Sequence, residues 1–281
     1  MPAVSGNFVV WMDNRTGNPD IYVYDLFRNV EIPLAGGPLY DMYPDIRGAV
    51  IAWVGQNPQH DNWAVRTFDV ITANRSQLTG AEFFTPSQIS IGDKYLVWQD
   101  LSFAGWRLYK KLVYGGTEPV EAIPPSGTNP RTAGDIAVYQ DNKDGNWNVY
   151  IWKGQQKIPV TADPADQINP ATDGYIVVYQ DNRNGNWDIY AFDTNTSKEI
   201  RITSDPSDQT NPDIESGVIV WQDRRNGDWD IYAFDLSAGK EIPICIAPGD
   251  QTRPRIGSRK IVWEDSRSGD RDIYIYDSYS P

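Results

Sequence analysis

With 281 residues, of which 40% are hydrophobic, the chain has material for one large or two ordinary domains and an ample core. Its formal charge of −13 argues against nucleic acid as a partner, because phosphate backbones are bound by clustered Lys and Arg, and it disfavours an anionic membrane surface. No apolar run is long enough to span a bilayer, so no membrane insertion is expected, and the lone Cys245 has no partner for an internal disulfide.

In chain order, the first predicted element is the run VVWMDNRTGNPDIYVYD from Val9, which closes an alternating apolar stretch with Trp11, turns through polar residues and resumes at Ile21. The same phrase returns around Trp53, Trp98, Tyr139, Tyr179, Trp221 and Trp263, at intervals of about 40–45 residues. Its sharpest later copies are VVYQDNRNGNWDIYAFD from Val177, IVWQDRRNGDWDIYAFD from Ile219 and IVWEDSRSGDRDIYIYD from Ile261. Copies two and three diverge, with QNPQHDNWAVRTFD and LSFAGWRLYKKL in place of the motif. Nothing in the chain sustains helical periodicity.

Each copy divides into four strand-like runs. In the sixth these are VIVWQ from Val218, WDIYAFD from Trp229, KEIPI from Lys240, and a short segment around Pro254 to Ile256 after the GDQTRP connector. Four short antiparallel strands repeated seven times predict an all-β, seven-bladed β-propeller of four-stranded blades, with residues 1–281 forming one propeller domain. The seventh copy ends IYIYDSYSP, so its blade is expected either to be incomplete or to be closed by an N-terminal strand at MPAV, which aligns with YPDI and NPDI.

The phrase IVWQDRRNGDWDIYAFD followed by an acidic connector such as SDPSDQTNPDI resembles the repeats of TolB-type β-propellers and of related propellers in microbial cell-surface proteins. The resemblance covers essentially the whole chain, strongly in copies one and four to seven. It implies an extracellular, cell-surface or periplasmic setting, although the opening MPAVSGNFVV does not read as a signal peptide. This architecture hosts binding proteins, scaffolds and enzymes alike.

Candidate chemistry was sought in the turns. The Asp-x-Arg-x-Gly-x-x-Asp pattern at Asp13, Asp181, Asp223 and Asp265 has the spacing of an oxygen-rich calcium loop, but a basic residue stands where a second ligand is needed. Recurrence in nearly every copy favours a hairpin in which Gly takes positive φ while Asp caps turn amides and pairs with Arg. No cofactor is therefore expected, with calcium as the alternative. Trp147, Trp187 and Trp229 follow Gly-Asn or Gly-Asp in these turns, and Trp63 and Trp106 lie near the same place; such rings suit a sugar or a protein partner, or a seam between blades. The divergent copies add the only histidine, His60, with Arg66, Phe103 and Arg107. One His and one Cys are too few for a zinc site, and nothing places a serine beside His60. The expectation is a non-enzymatic module holding a protein or glycan on its loop surfaces. The alternative is a glycan-active hydrolase with paired carboxylates near the central channel.

Overall fold

The computed structural model of the chain describes residues 1–58, 62–79, 86–102, 105–114, 120–123 and 126–278. It contains 27 strands and, among the described residues, no α-helix, arranged as seven antiparallel sheets. The fold is an all-β, seven-bladed propeller whose last blade has three strands instead of four. Blade 1 holds β1 to β4 (Ala3–Ser5, Phe8–Asp13, Asp20–Asp25, Val30–Ala35), and blade 2 holds β5 to β8 (Asp41–Arg47, Val50–Gln56, Trp63–Asp69, Asn74–Gln77). Blade 3 holds β9 to β12 (Pro86–Ile91, Tyr95–Ser102, Gly105–Leu112, Glu121–Ile123), and blade 4 holds β13 to β16 (Thr128–Ala133, Ile136–Asp141, Asn148–Lys153, Gln156–Pro159). Blades 5 and 6 hold β17 to β20 (Gln167–Thr172, Ile176–Asp181, Asp188–Asp193, Lys198–Arg201) and β21 to β24 (Gln209–Glu215, Val218–Asp223, Asp230–Asp235, Lys240–Cys245). Blade 7 holds β25 to β27 (Gln251–Gly257, Lys260–Asp265, Asp272–Asp277).

The chain divides into two compact units, residues 1–134 and 135–281. In the first, Val10 and Ile21 of blade 1 share a core with Ile46, Ile51 and Trp53 of blade 2. In the second, Val178 and Ile189 of blade 5 pack with Ile219 and Trp221 of blade 6. Second strands are buried along almost their whole length because sheets cover both faces, whereas fourth strands such as NRSQ and KEIR are exposed and polar, which blunts an edge that could pair with another chain.

Two expectations about strand assignment are corrected. The segment read as a repeat's fourth strand is the first strand of the following blade: Gly257 pairs with Lys260 across a two-residue turn in which Ser258 and Arg259 both have positive φ. That tight turn matches the twist of an antiparallel hairpin and fixes the partner, while the connector from β24 to β25 only crosses between blades. The N-terminal strand does not close blade 7 either. It pairs with β2 through Ala3↔Val10 and Ser5↔Phe8, leaving β27 as an edge strand on which Ile275 and Tyr276 are exposed.

A side-chain clamp links successive blades. The residue after the landmark aromatic is Gln99, Gln140, Gln180 or Gln222, and its Oε1 accepts the backbone N–H of Asn129, Asn169, Asn211 or Arg253 in the next blade at 2.6, 2.7, 2.9 and 2.9 Å. Each amide belongs to a residue with φ between 53° and 57°, and at Asn169, Asn211 and Arg253 a β-bulge has turned it out of its own ladder. Met12 and Val54 occupy the equivalent positions in blades 1 and 2 and have no amide oxygen to offer.

Candidate functional site

The turn motif is a self-contained electrostatic unit. In blade 5, Asp181 Oδ1 accepts the Arg183 backbone N–H at 2.8 Å, and the Arg183 guanidinium bonds Asp181 at 2.6 Å and Glu199 of β20 at 2.8 Å. The guanidinium lies 4.4 Å from the centre of the Tyr190 ring, which itself stacks on Tyr179. Blade 6 repeats this with Asp223, Arg225, Tyr232 and Glu241, and blade 1 with Asp13, Arg15, Tyr22 and Glu31. The Asp181 carboxylate holds the Arg183 proton more firmly than usual, raising its pKa against the opposing effect of burial. Gly185 and Gly227 take φ of 96° and 104° in the turns, a region that favours glycine. The hairpin reading thus matches the geometry: these carboxylates are occupied by arginine and turn amides. Among the described residues, no cluster of three or more His, Cys, Asp or Glu side chains is arranged to hold a metal.

Blade 4 builds the same unit from swapped positions. Lys157 stands where the glutamate of β20 stands, donates to Asp141 at 3.0 Å and lies 3.6 Å from the centre of the Tyr150 ring. Burial and a hydrogen bond to Asp144 push the Tyr150 hydroxyl up to about 12. In blade 7 the outer strand is lacking, and Arg267 bonds Asp265 and the Cys245 Sγ at 2.9 Å.

The turn tryptophans occupy one register position. Trp63, Trp106, Trp147, Trp187 and Trp229 each lie three residues before the residue paired with the landmark aromatic, as do Pro19 and Arg271. The backbone there holds the connector to the next blade: the carbonyls of Trp147, Trp187 and Trp229 accept the N–H of Gln167, Gln209 and Gln251 at 2.7, 2.7 and 2.6 Å. Their own N–H groups donate to Asp166, Asp208 and Asp250. The Pro19 carbonyl accepts from Asp41 in the same way at 2.9 Å, though proline has no N–H to donate, so the acceptor half of this arrangement does not require an indole. The rings of Trp147, Trp187 and Trp229 are half-buried, with Arg224 over Trp229 at 5.8 Å.

The candidates of the divergent copies separate by blade. His60 and Phe103 lie outside the described residues. Trp63 is half-buried and tilts against Tyr40 with ring centres 6.5 Å apart, while Trp106 is exposed and Arg107 lies opposite Asp100 within blade 3. Arg66 turns instead to Asp41, at 3.3 Å, and to the Gln56 carbonyl at 2.9 Å. Sequence reading passed over Asp41 and Arg75. Both line a cleft of about 520 Å³ in the first unit, together with Leu34, Leu39, Trp53 and Arg66.

Asp41 is nearly buried, and its Oδ1 accepts the Trp53 indole N–H at 2.8 Å as well as Arg66. Burial pushes the Asp41 carboxyl above its ordinary range, opposed by the Trp53 bond and the Arg66 charge. The carboxylate has crossed the ladder. In blades 1, 6 and 7 the landmark indole donates to an Asp two residues on, but blade 2 has Gly55 there, directly opposite Asp41 on β5. A Cβ on Gly55 would lie 2.2 Å from Arg66 Nη1 and 2.5 Å from Asp41 Oδ1, so glycine makes room for the pair. Asp41 itself stands where Gln167, Gln209 and Gln251 stand in blades 5 to 7.

No family model matches the chain, and no curated protein matches it in sequence. Among solved structures it is similar to the β-propeller domain of the Trilobed protease from Pyrococcus furiosus, described as having an open velcro topology, with TM-score 0.81 and 13% identity over 99% of this chain and 94% of that one. It is also similar to Pyrococcus horikoshii acylaminoacyl peptidase, with TM-score 0.75 and 14% identity over 99% of this chain but only 50% of that one, so it spans half of that enzyme's length. A putative TolB from Agrobacterium tumefaciens aligns with TM-score 0.58 and 16% identity over 76% of this chain and 84% of that one. These likenesses establish the β-propeller fold.

Proposed function

We propose that the chain is a non-enzymatic binding module with repeats of the TolB type, which holds a protein or glycan partner on the turn surface of its blades. The observation that carries this reading is the choice of side chain at the turn position: Pro19 supplies the same carbonyl acceptor without an indole, yet five blades in succession place an indole there. In blades 4 to 6 these indoles are half-buried, so each keeps ring surface for a partner while its backbone is held on both sides. An indole pre-fixed in this way contributes contact area at little entropic cost. A setting outside the cytoplasm belongs to the same proposal and rests on the resemblance to cell-surface propellers.

The test is binding of the purified chain to a glycan array and to immobilised extracellular protein fractions, beside a Trp187→Ala/Trp229→Ala variant of unchanged melting temperature. Specific binding that the variant loses supports the reading. Binding that survives the double substitution, or none on either surface, overturns it.

A further inference from the structure

We infer that the cleft of blade 2 is a second, separate binding site, which takes a small carboxylate ligand through Arg75 and Arg66. The inference does not depend on the turn tryptophans.

In blade 5 the positions concerned carry Asp181, Arg183, Tyr190, Glu199 and Gln167, which amount to two carboxylates and one guanidinium. The same positions in blade 2 carry Gly55, Asn57, Arg66, Arg75 and Asp41, which amount to one carboxylate and two guanidiniums. Register fixes the correspondence: Arg66 pairs with Trp53 as Tyr190 pairs with Tyr179, and Arg75 pairs with Phe68 as Glu199 pairs with Phe192. Across these five positions the balance changes from one net negative charge to one net positive charge, and the buried Asp20 carboxylate of blade 1, which lies behind Gly36 of the cleft wall and acts on Asp41, offsets part of that change.

Space accompanies the charge. In blades 1, 5 and 6 the turn arginine covers the tyrosine ring and reaches the glutamate of the outer strand. Blade 2 has no arginine in that column and no carboxylate facing it, and the cleft of about 520 Å³ occurs here, a volume in the range of small-molecule sites. Arg66 is neutralised by Asp41 and held by the Gln56 carbonyl. Arg75 is exposed, donates to the Leu34 carbonyl and lies over the Phe68 ring at 5.1 Å. Those contacts orient its guanidinium; the Asp41 carboxylate in the same cleft feels its charge, but no carboxylate is hydrogen-bonded to it among the described residues. On β7 and β8 the side chains of Arg66, Gln77 and Arg75 share one face of the sheet, since Arg66 is opposite Gln77 and Arg75 is two residues from it. A carboxylate seated there meets a planar, charged donor fork already held in place, the strong form of carboxylate recognition. Leu34, Pro38 and Leu39 on the connector supply an apolar wall for the ligand's carbon chain.

The experiment is calorimetric titration of the full chain with succinate at low and at 0.5 M salt, with neutral succinamide as the matched probe, repeated on Arg75→Gln and Arg75→Lys. Thermal unfolding of each variant checks that the fold is kept. The expected result is saturable one-to-one succinate binding that weakens with salt, no response to succinamide, at least a tenfold loss of affinity in R75Q and a smaller loss in R75K, which keeps the charge without the fork. Absence of saturation by 20 mM succinate, equal response to succinamide, or undiminished affinity in a folded R75Q overturns the assignment. Because the tryptophans are untouched, glycan or protein binding in R75Q is expected to remain at its unsubstituted level.

Discussion

Gly55→Ala is expected to destabilise the protein through blade 2 alone. The new Cβ would stand 2.2 Å from Arg66 Nη1, so the guanidinium must retreat by about 1 Å or more to reach van der Waals distance. Its bond to Asp41 is already 3.3 Å long and is lost by that movement. Asp41 is then a nearly buried carboxylate with only the Trp53 indole as donor. Removing one partner of a fully buried ion pair costs about 3–5 kcal/mol, and the partial exposure of Arg66 reduces this to about 2–3 kcal/mol. For a chain of this size that corresponds to a fall of about 5 °C in Tm. The pH dependence identifies the cause. Asp41 titrates above its unfolded value, so the native state binds this proton more tightly than the unfolded state. Its favourable contribution is present at low pH and is lost as pH rises from about 4 through the folded value. Losing Arg66 raises the folded value further, so the penalty of G55A is expected to be small at pH 4 and complete by pH 7. Gly227→Ala is the control: nothing lies within 4 Å of its Cβ, and at φ of 104° it carries backbone strain of about 1 kcal/mol without that pH profile. Differential scanning calorimetry across pH reads both variants. A Tm shift of G55A below about 1 °C, or a penalty that grows on acidification, refutes the reasoning.

Two further outcomes follow from the turn units. Arg183→Met leaves the fully buried Asp181 without its cation and is expected to cost about 2–4 kcal/mol, whereas Arg15→Met, at a guanidinium 48% exposed, costs about 0.5 kcal/mol; urea unfolding of the two variants measures the contrast. Burial raises the Cys245 thiol while Arg267 lowers it, so Cys245 should react with a disulfide reagent more slowly than a free thiol at pH 7.5, and Arg267→Met should slow it further, as followed by thiolate release.

Blade number and the paired turn chemistry were legible because each copy repeats both the apolar alternation and the Asp, Arg and Gly that close its hairpin. Seven landmark aromatics gave seven sheets. The phase of the sheets against the repeats was not legible from the apolar runs. It is set by the two-residue turns between first and second strands, which hold a glycine at positive φ in blades 1, 2, 4 and 6, at Gly6, Gly48, Gly134 and Gly217, but Ser258-Arg259 in blade 7. Arg66 drew notice as a basic residue in a divergent copy, but Asp41 and Arg75 did not. Asp41 stands in a column that holds glutamine in blades 5 to 7, and Arg75 in one that holds glutamate in blades 1, 5 and 6 and lysine in blade 4, so their meaning appears only once strand register aligns the blades.

The distribution of the clamps gives the divergence a physical sense. Where Gln99, Gln140, Gln180 and Gln222 accept an amide from the following blade, each seam is fixed by a directional bond in addition to its apolar packing. Met12 and Val54 remove this one bond from the seams after blades 1 and 2, which keep others, such as the Gly48 N–H to Ser5 Oγ and the Ile91 N–H to Asp45 Oδ2, both at 3.0 Å, beside apolar packing. The exchange of Asp for Gly55, Tyr for Arg66 and Glu for Arg75 is found in the blade whose seams are not clamped in this way. A ring of identical blades has no unique pocket, so a distinct site requires one blade to give up the self-satisfied unit of Asp, Arg and Glu that blades 1, 5 and 6 keep. Blade 2 has done so while retaining the indole-to-carboxylate-to-guanidinium core through Trp53, Asp41 and Arg66, and that retained core lets an exposed arginine and an open cleft coexist with a buried, ordered sheet.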